Sequence, residues 1–295
     1  MTLFYDGQRS EDYSNRFDLK DKAADISGRP AQSLVVSRGR QRLVELHYVA
    51  SHESGDRKLF FGRRVDQKQV NWPLLKSWLP ECERFHNGLC DRRGKAAQDL
   101  PKNLRVIDIV EGKIVTAPPR CQYCAMTYVW GPIRREGTLL KQSWLKRDHK
   151  GREYADLPSV LPRTIADSMI VAGALGFRYL WNDSLCIVQG PEDAPQHKNS
   201  QIWRMDAIYS SAALTIAAAT GSNADSGLPG VSLPRRIKQI SEVVDGIRFA
   251  VPFPNYDIIH DDRSLIWNTR GWTMQEKLLS KRLLLFTDEQ VYFKC

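Results

Sequence analysis

Trp272 and Glu276 stand four residues apart in the run Arg270-Gly271-Trp272-Thr273-Met274-Gln275-Glu276, where a polar loop gives way to a helical pattern. That spacing puts both side chains on one helical face, about one turn apart. An aromatic face beside a fixed carboxylate can hold a flat cationic ligand or steady a positive charge that develops during a reaction. A core tryptophan with a solvated glutamate is the plainer reading of the heptapeptide taken alone. Asp183, just after Tyr179-Leu180-Trp181-Asn182, reads either as a polar group at the mouth of a pocket or as a cap on a backbone turn. Tyr128 and Trp130 flank Val129, so they share a strand face, from which they can stack on a flat ring or pack in a core.

Other chemistries find less support. The chain has no GxGxxG turn, no GxxxxGK[ST] phosphate loop, no GxSxG elbow and no HExxH. Cys186 sits inside an apolar run and reads as an inert small hydrophobe rather than a nucleophile. Cys82, His86 and Cys90 fall at spacings of four on a helical segment, but zinc needs a fourth ligand and structural sites usually pair their ligands across a tight turn. Cys121 and Cys124 have CxxC spacing at the start of a strand, where an offset of three sends the thiols to opposite faces. Reduced structural cysteines, with no metal and no cofactor, are the expectation.

The elements that must position these groups begin with short strands at residues 43–49, 58–61 and 104–110 and an amphipathic helix from Trp72. From Tyr123 the texture becomes alternating strand and helix. A strand at 125–130 is stopped by Gly131-Pro132, and residues 133–160 read as a loop with a short helix. Thr164 and Asp167 resemble a capping box for a helix that closes at Gly176. Strands follow at 178–188, 213–219, 282–286 and 290–295, with helices before Ala212 and from Trp272. This order predicts an α/β fold: a mainly parallel sheet with helices on both faces, ligands binding beyond the strands' carboxyl ends. The expected division is an N-terminal extension over 1–110 and a core over 111–295, with an insertion at about 220–262. The final apolar strand runs to the last residue, as in a domain cut from something longer.

With 42% hydrophobic and 26% charged residues the composition is that of a globular protein. The net charge of +9 is scattered in short groups, without the runs or motifs of a nucleic-acid binder. No apolar run approaches a membrane span and the opening residues do not form a secretory signal, so a cytoplasmic setting is expected.

Residues 123–131 (YCAMTYVWG) resemble the "YxALSYxWG" opening of the fungal heterokaryon-incompatibility (HET) domain. Residues 161–167 (LPRTIAD) and 175–189 (LGFRYLWNDSLCIVQ) resemble its centre. Residues 203–212 (WRMDAIYSSA) and the heptapeptide at 270–276 resemble its later blocks, and residues 78–90 are similar to a helix with one tryptophan, two cysteines and a histidine often found upstream. Thr127 stands where the family has serine, Asn182 replaces a common valine or isoleucine, and Gly190 stands where aspartate is common.

The resemblance implies fungal non-self recognition leading to programmed cell death, a form of innate immunity. HET domains are remotely similar to Toll/interleukin-1-receptor (TIR) domains, which implies a TIR-like or flavodoxin-like core. In the NAD-cleaving TIR members a glutamate four residues after a tryptophan is catalytic, and Trp272 and Glu276 match that pattern. By this likeness Glu276 is the catalytic carboxylate, and Tyr128, Trp130, Gly131, Asp183, Arg270 and Trp272 bind NAD+ or a related nucleotide as substrate. The alternative is a non-enzymatic signalling module that oligomerises or engages another incompatibility protein.

Overall fold

The structure, a computed structural model, describes residues 15–22, 31–38, 41–49, 63–87, 89–90, 103–132, 138–189 and 204–295. The strand read at 58–61 lies outside the described residues. The chain divides into two compact units: Met1–Gln67 with Ile237–Pro254, and Lys68–Arg236 with Asn255–Cys295.

With strands numbered along the chain, the first unit is an antiparallel sheet in the order β1 (Asn15–Lys22), β2 (Ala31–Arg38), β3 (Gln41–Val49), β12 (Ile247–Ala250), β11 (Ser241–Val244). The β11–β12 hairpin turns on Asp245-Gly246, with φ of 50° and 78°. A two-residue hairpin needs this left-handed pair to match strand twist, and Asp-Gly supplies it at low cost. Gln239 secures the edge, accepting from the Val65 N–H at 3.0 Å and donating to the Arg63 and Val251 carbonyls at 3.3 and 3.2 Å.

The second unit holds α1 (Trp72–Phe85), α2 (Arg163–Ala174), α3 (Asp183–Cys186), α4 (Met205–Ser211), α5 (Tyr256–His260) and α6 (Gly271–Leu279) around a nine-stranded sheet. Its centre is β13 (Leu283–Phe286), β10 (Leu214–Ala218), β6 (Tyr123–Thr127) and β9 (Tyr179–Trp181), each parallel to the next. Every residue of β6, β10 and β13 is buried, which requires cover on both sheet faces and explains their unbroken apolar texture. Along β13, Leu284 and Phe286 join one core cluster, while Leu283 and Leu285 join another with Ile259 and Trp267. This is the period-two alternation of a strand packed on two sides.

The sheet is nevertheless mixed rather than mainly parallel. Beyond β13 lies antiparallel β14 (Val291–Lys294); beyond β9 come β4 (Arg105–Asp108), β5 (Lys113–Thr116), β8 (Glu153–Asp156) and β7 (Lys146–Arg147), all antiparallel. The β4–β5 and β13–β14 links are tight turns, and a parallel return needs a crossover of about a dozen residues. In the first, Asp108 Oδ1 accepts from the Val110 and Glu111 N–H groups at 3.1 and 3.2 Å. Residues 133–160, expected as a loop with a short helix, contain one 3-10 turn at Gln142–Trp144 and the β7–β8 hairpin.

At α2 the capping box is replaced by tertiary bonds. The helix starts at Arg163, and Thr164 Oγ1 accepts from the Gly227 N–H at 3.0 Å. Asp167 Oδ2 accepts from the Leu228 N–H at 2.7 Å and from the Ser232 hydroxyl at 2.8 Å. Gly176 closes α2 as expected, with φ of +87°, the Phe177 N–H reaching the Ala172 carbonyl at 2.9 Å and its own N–H reaching Gly173 at 3.0 Å. No helix among the described residues is long and apolar enough to cross a membrane.

Candidate active site

Helix α6 is amphipathic in reverse. Thr273, Glu276 and Lys277, with Ser280 just past the helix end, are buried at offsets of three and four, whereas Met274 and Leu278 are 69% and 66% exposed. A helix selected only for stability would turn these stripes the other way. Burying a polar stripe costs free energy unless each group finds a partner.

The partners are present. Trp267, fully buried in the 3-10 turn Ile266–Thr269, donates its indole N–H to Thr127 Oγ1 at 2.8 Å. The Thr127 hydroxyl in turn donates to Glu276 Oε2. The Tyr209 hydroxyl of α4 lies 3.4 Å from Glu276 Oε1 and 3.3 Å from the Met126 carbonyl. Lys277 donates to the His260 carbonyl, Thr273 Oγ1 to the Trp267 carbonyl at 2.6 Å, and Ser280 Oγ meets Thr215 Oγ1 at 2.7 Å. Burial raises the Glu276 pKa; the Thr127 bond and the Arg270 charge oppose the rise.

A second carboxylate faces the same charges. Asp183 opens α3 directly after β9, and the Trp130 indole N–H, beyond the end of β6, reaches its two oxygens at 3.0 and 3.2 Å. Burial first, and then the Glu276 charge, push Asp183 up to about 7, against the pull of Arg270. Arg270 donates to the Tyr128 carbonyl, so one cation serves both acids and the loop between β6 and Trp130. Tyr128 is buried, its hydroxyl donating to Ser184 Oγ at 3.3 Å. Two buried carboxyls raised by burial, one of them also by the charge of the other, are the arrangement expected of acid–base or charge-stabilising chemistry.

Two predictions follow from this geometry. Thr127→Val, which keeps the shape but strips both the acceptor for Trp267 and the donor to Glu276, is expected to cost about 1–3 kcal/mol in denaturant unfolding, while Thr127→Ser stays near wild type. For Asp183 the folded pKa of about 7 lies above its ordinary 3.8, so the folded state keeps a proton that the unfolded chain has released. Stability therefore falls as pH rises through that window. Asp183→Asn is expected to remove this slope, raising the melting temperature at pH 8 by a few degrees relative to wild type and leaving it little changed at pH 4, at about 2–4 °C per kcal/mol for a domain of this size.

Of the residues expected from sequence, Glu276, Asp183, Trp130, Tyr128 and Arg270 are linked by hydrogen bonds or charge interactions around the ends of β6 and β9. The backbone of Trp272 lies in α6, and its side chain is outside the described residues. At Gly131 (φ +79°) a Cβ would fall 2.5 Å from the Cβ of Asn223, so the missing side chain lets two loops pass. Thr127, Tyr209 and Trp267 were not foreseen. One signal existed: Thr127 keeps the hydroxyl of the family's serine. Cys186 is buried and its thiol is pushed up to about 12 by burial, in keeping with an inert role.

Fold and side chains together define an α/β domain with a buried carboxylate held at the carboxyl ends of parallel strands. The heterokaryon incompatibility protein (HET) family matches residues 123–276, just over half the chain, from the first residue of β6 to Glu276 itself. The chain belongs to that family, and a function in heterokaryon incompatibility goes with membership. No match was found among curated proteins or solved structures.

Proposed function

We propose that this HET domain acts in fungal non-self recognition and cell death by cleaving NAD+ at the bond between nicotinamide and ribose. The observation that carries the proposal is the inverted α6, which buries Glu276 beside a second acid and one arginine. Cleavage of this bond expels neutral nicotinamide from a cationic ring, so it needs no strong general acid. Positive charge builds on the ribose as the bond lengthens, and a preorganised carboxylate stabilises it. Glu276 takes that role, held by Thr127 and Tyr209. Asp183, with a pKa near neutrality, holds or releases a proton toward a ribose hydroxyl or the attacking water. Trp130 and Tyr128 shape the nicotinamide side, and Trp272 and Glu276 keep the four-residue spacing of the tryptophan and glutamate in NAD-cleaving TIR domains.

The leaving group supplies a test. Purified, concentrated protein is expected to release nicotinamide from NAD+ and to leave NADH intact, because dihydronicotinamide carries no positive charge to be relieved. Equal consumption of both would contradict the mechanism.

A second reading draws on the other face of α6. Met274 and Leu278, both about two-thirds exposed, suit a module that signals by self-association or by engaging another incompatibility protein, with Glu276 as an internal clamp. Absence of nicotinamide release in every assembly state, with cell death intact in Glu276→Ala, selects this reading. The site of action proposed under either reading is the cytoplasm.

A further inference from the structure

Away from Glu276, Cys82, His86, Cys90 and Cys295 bring one ligand atom each to within 4.8 Å of one another. His86 Nδ1 lies 3.6, 3.2 and 3.5 Å from the sulfurs of Cys82, Cys90 and Cys295. Tetrahedral zinc with bonds of about 2.3 Å to sulfur and about 2.05 Å to nitrogen requires nitrogen–sulfur edges of about 3.6 Å. We propose that these four residues form a structural zinc site.

Local folding explains how they meet. Cys82 and His86 lie one turn apart at the end of α1, where the His86 N–H still bonds the Cys82 carbonyl at 3.0 Å. Had the helix continued, Cys90 would lie about 12 Å along the axis from Cys82, out of reach of a shared ion. Instead Asn87 takes a left-handed conformation, with φ of 46°, and the Leu89 N–H turns back to the His86 carbonyl at 2.8 Å. The fourth ligand follows β14, 209 residues from His86 in sequence.

The surroundings suit the charge. Three thiolates and one Zn2+ leave a net charge of −1, and Arg282, itself 3% exposed, acts on Cys90 with the opposite sign. Binding releases the three thiol protons and changes no oxidation state. With three sulfurs and one nitrogen the coordination sphere is closed, which marks a structural rather than catalytic ion. Such an ion would fasten α1 to β14, both outside the stretch matched by the family, where Trp78 already stacks on Phe293 at 5.7 Å.

The test uses the whole chain, expressed with zinc and dialysed, with metal measured by mass spectrometry and thiols by intact mass. One zinc ion per chain is expected, with Co2+ replacing it to give the visible absorption of a tetrahedral thiolate complex. Cys295→Ser removes an exposed ligand and leaves the Trp78–Phe293 stack, so it is expected to stay folded while zinc affinity falls on the order of 100-fold or more. His86→Ala is the second variant, with the same loss expected. A zinc-free wild type, a disulfide among these cysteines in place of metal, or unchanged zinc content in both variants would overturn the assignment.

Discussion

Glu276→Gln is expected to lose the chemistry and keep the fold, with a melting temperature at pH 8 equal to or above that of the wild type. Glu276 is 4% exposed, and burial raises its pKa, so its charge costs stability where it sits. Glutamine has the same shape. Its amide oxygen can accept from Thr127, and its NH2 can donate toward Tyr209, the two neighbours that flank the carboxylate now. Losing the negative charge removes stabilisation of the developing ribosyl cation, worth about 10²–10³ in rate for one preorganised group. Stability gained with activity lost is the usual signature of a functional rather than structural polar group. A fall of several degrees in the melting temperature of Glu276→Gln would instead mark the carboxylate as a clamp.

Trp267→Ala carries the largest expected effect on stability, about 3–5 kcal/mol in urea unfolding with an unchanged slope. Trp267 is fully buried in the cluster with Ala217, Ala219, Leu283 and Leu285, and the Lys277 ammonium lies 5.4 Å from its ring centre. Truncation opens a cavity under the sheet and also removes the N–H that fixes Thr127. Trp267→Phe separates the two terms: most of the packing returns, and the missing donor costs about 1–3 kcal/mol. A loss below about 1 kcal/mol for the alanine variant would contradict the packing described here.

Much of the site was legible in sequence because its residues sit where local patterns change. A buried strand ending at Thr127 shortly before Gly131-Pro132, Asp183 after an apolar run and a helix opening one residue before Trp272 each put a polar group at an element boundary. Trp267 and Tyr209 left no such trace, for they reach the site across 140 and 67 residues, distances at which no spacing rule operates. The antiparallel half of the sheet was hidden for a different reason. Strands such as Lys146–Arg147 and Glu153–Asp156 are short and charged, so they lack the apolar run that betrays a central strand. Asp245-Gly246 was a readable hairpin signal within a segment that looked like an insertion.

The release of nicotinamide from NAD+, followed over time for the wild-type chain and for Glu276→Gln at matched concentration and with matched melting curves, tests the proposed role of Glu276 most directly. Release by the wild type and a loss of at least about 100-fold in the variant are predicted. Equal release by two equally folded proteins would contradict it.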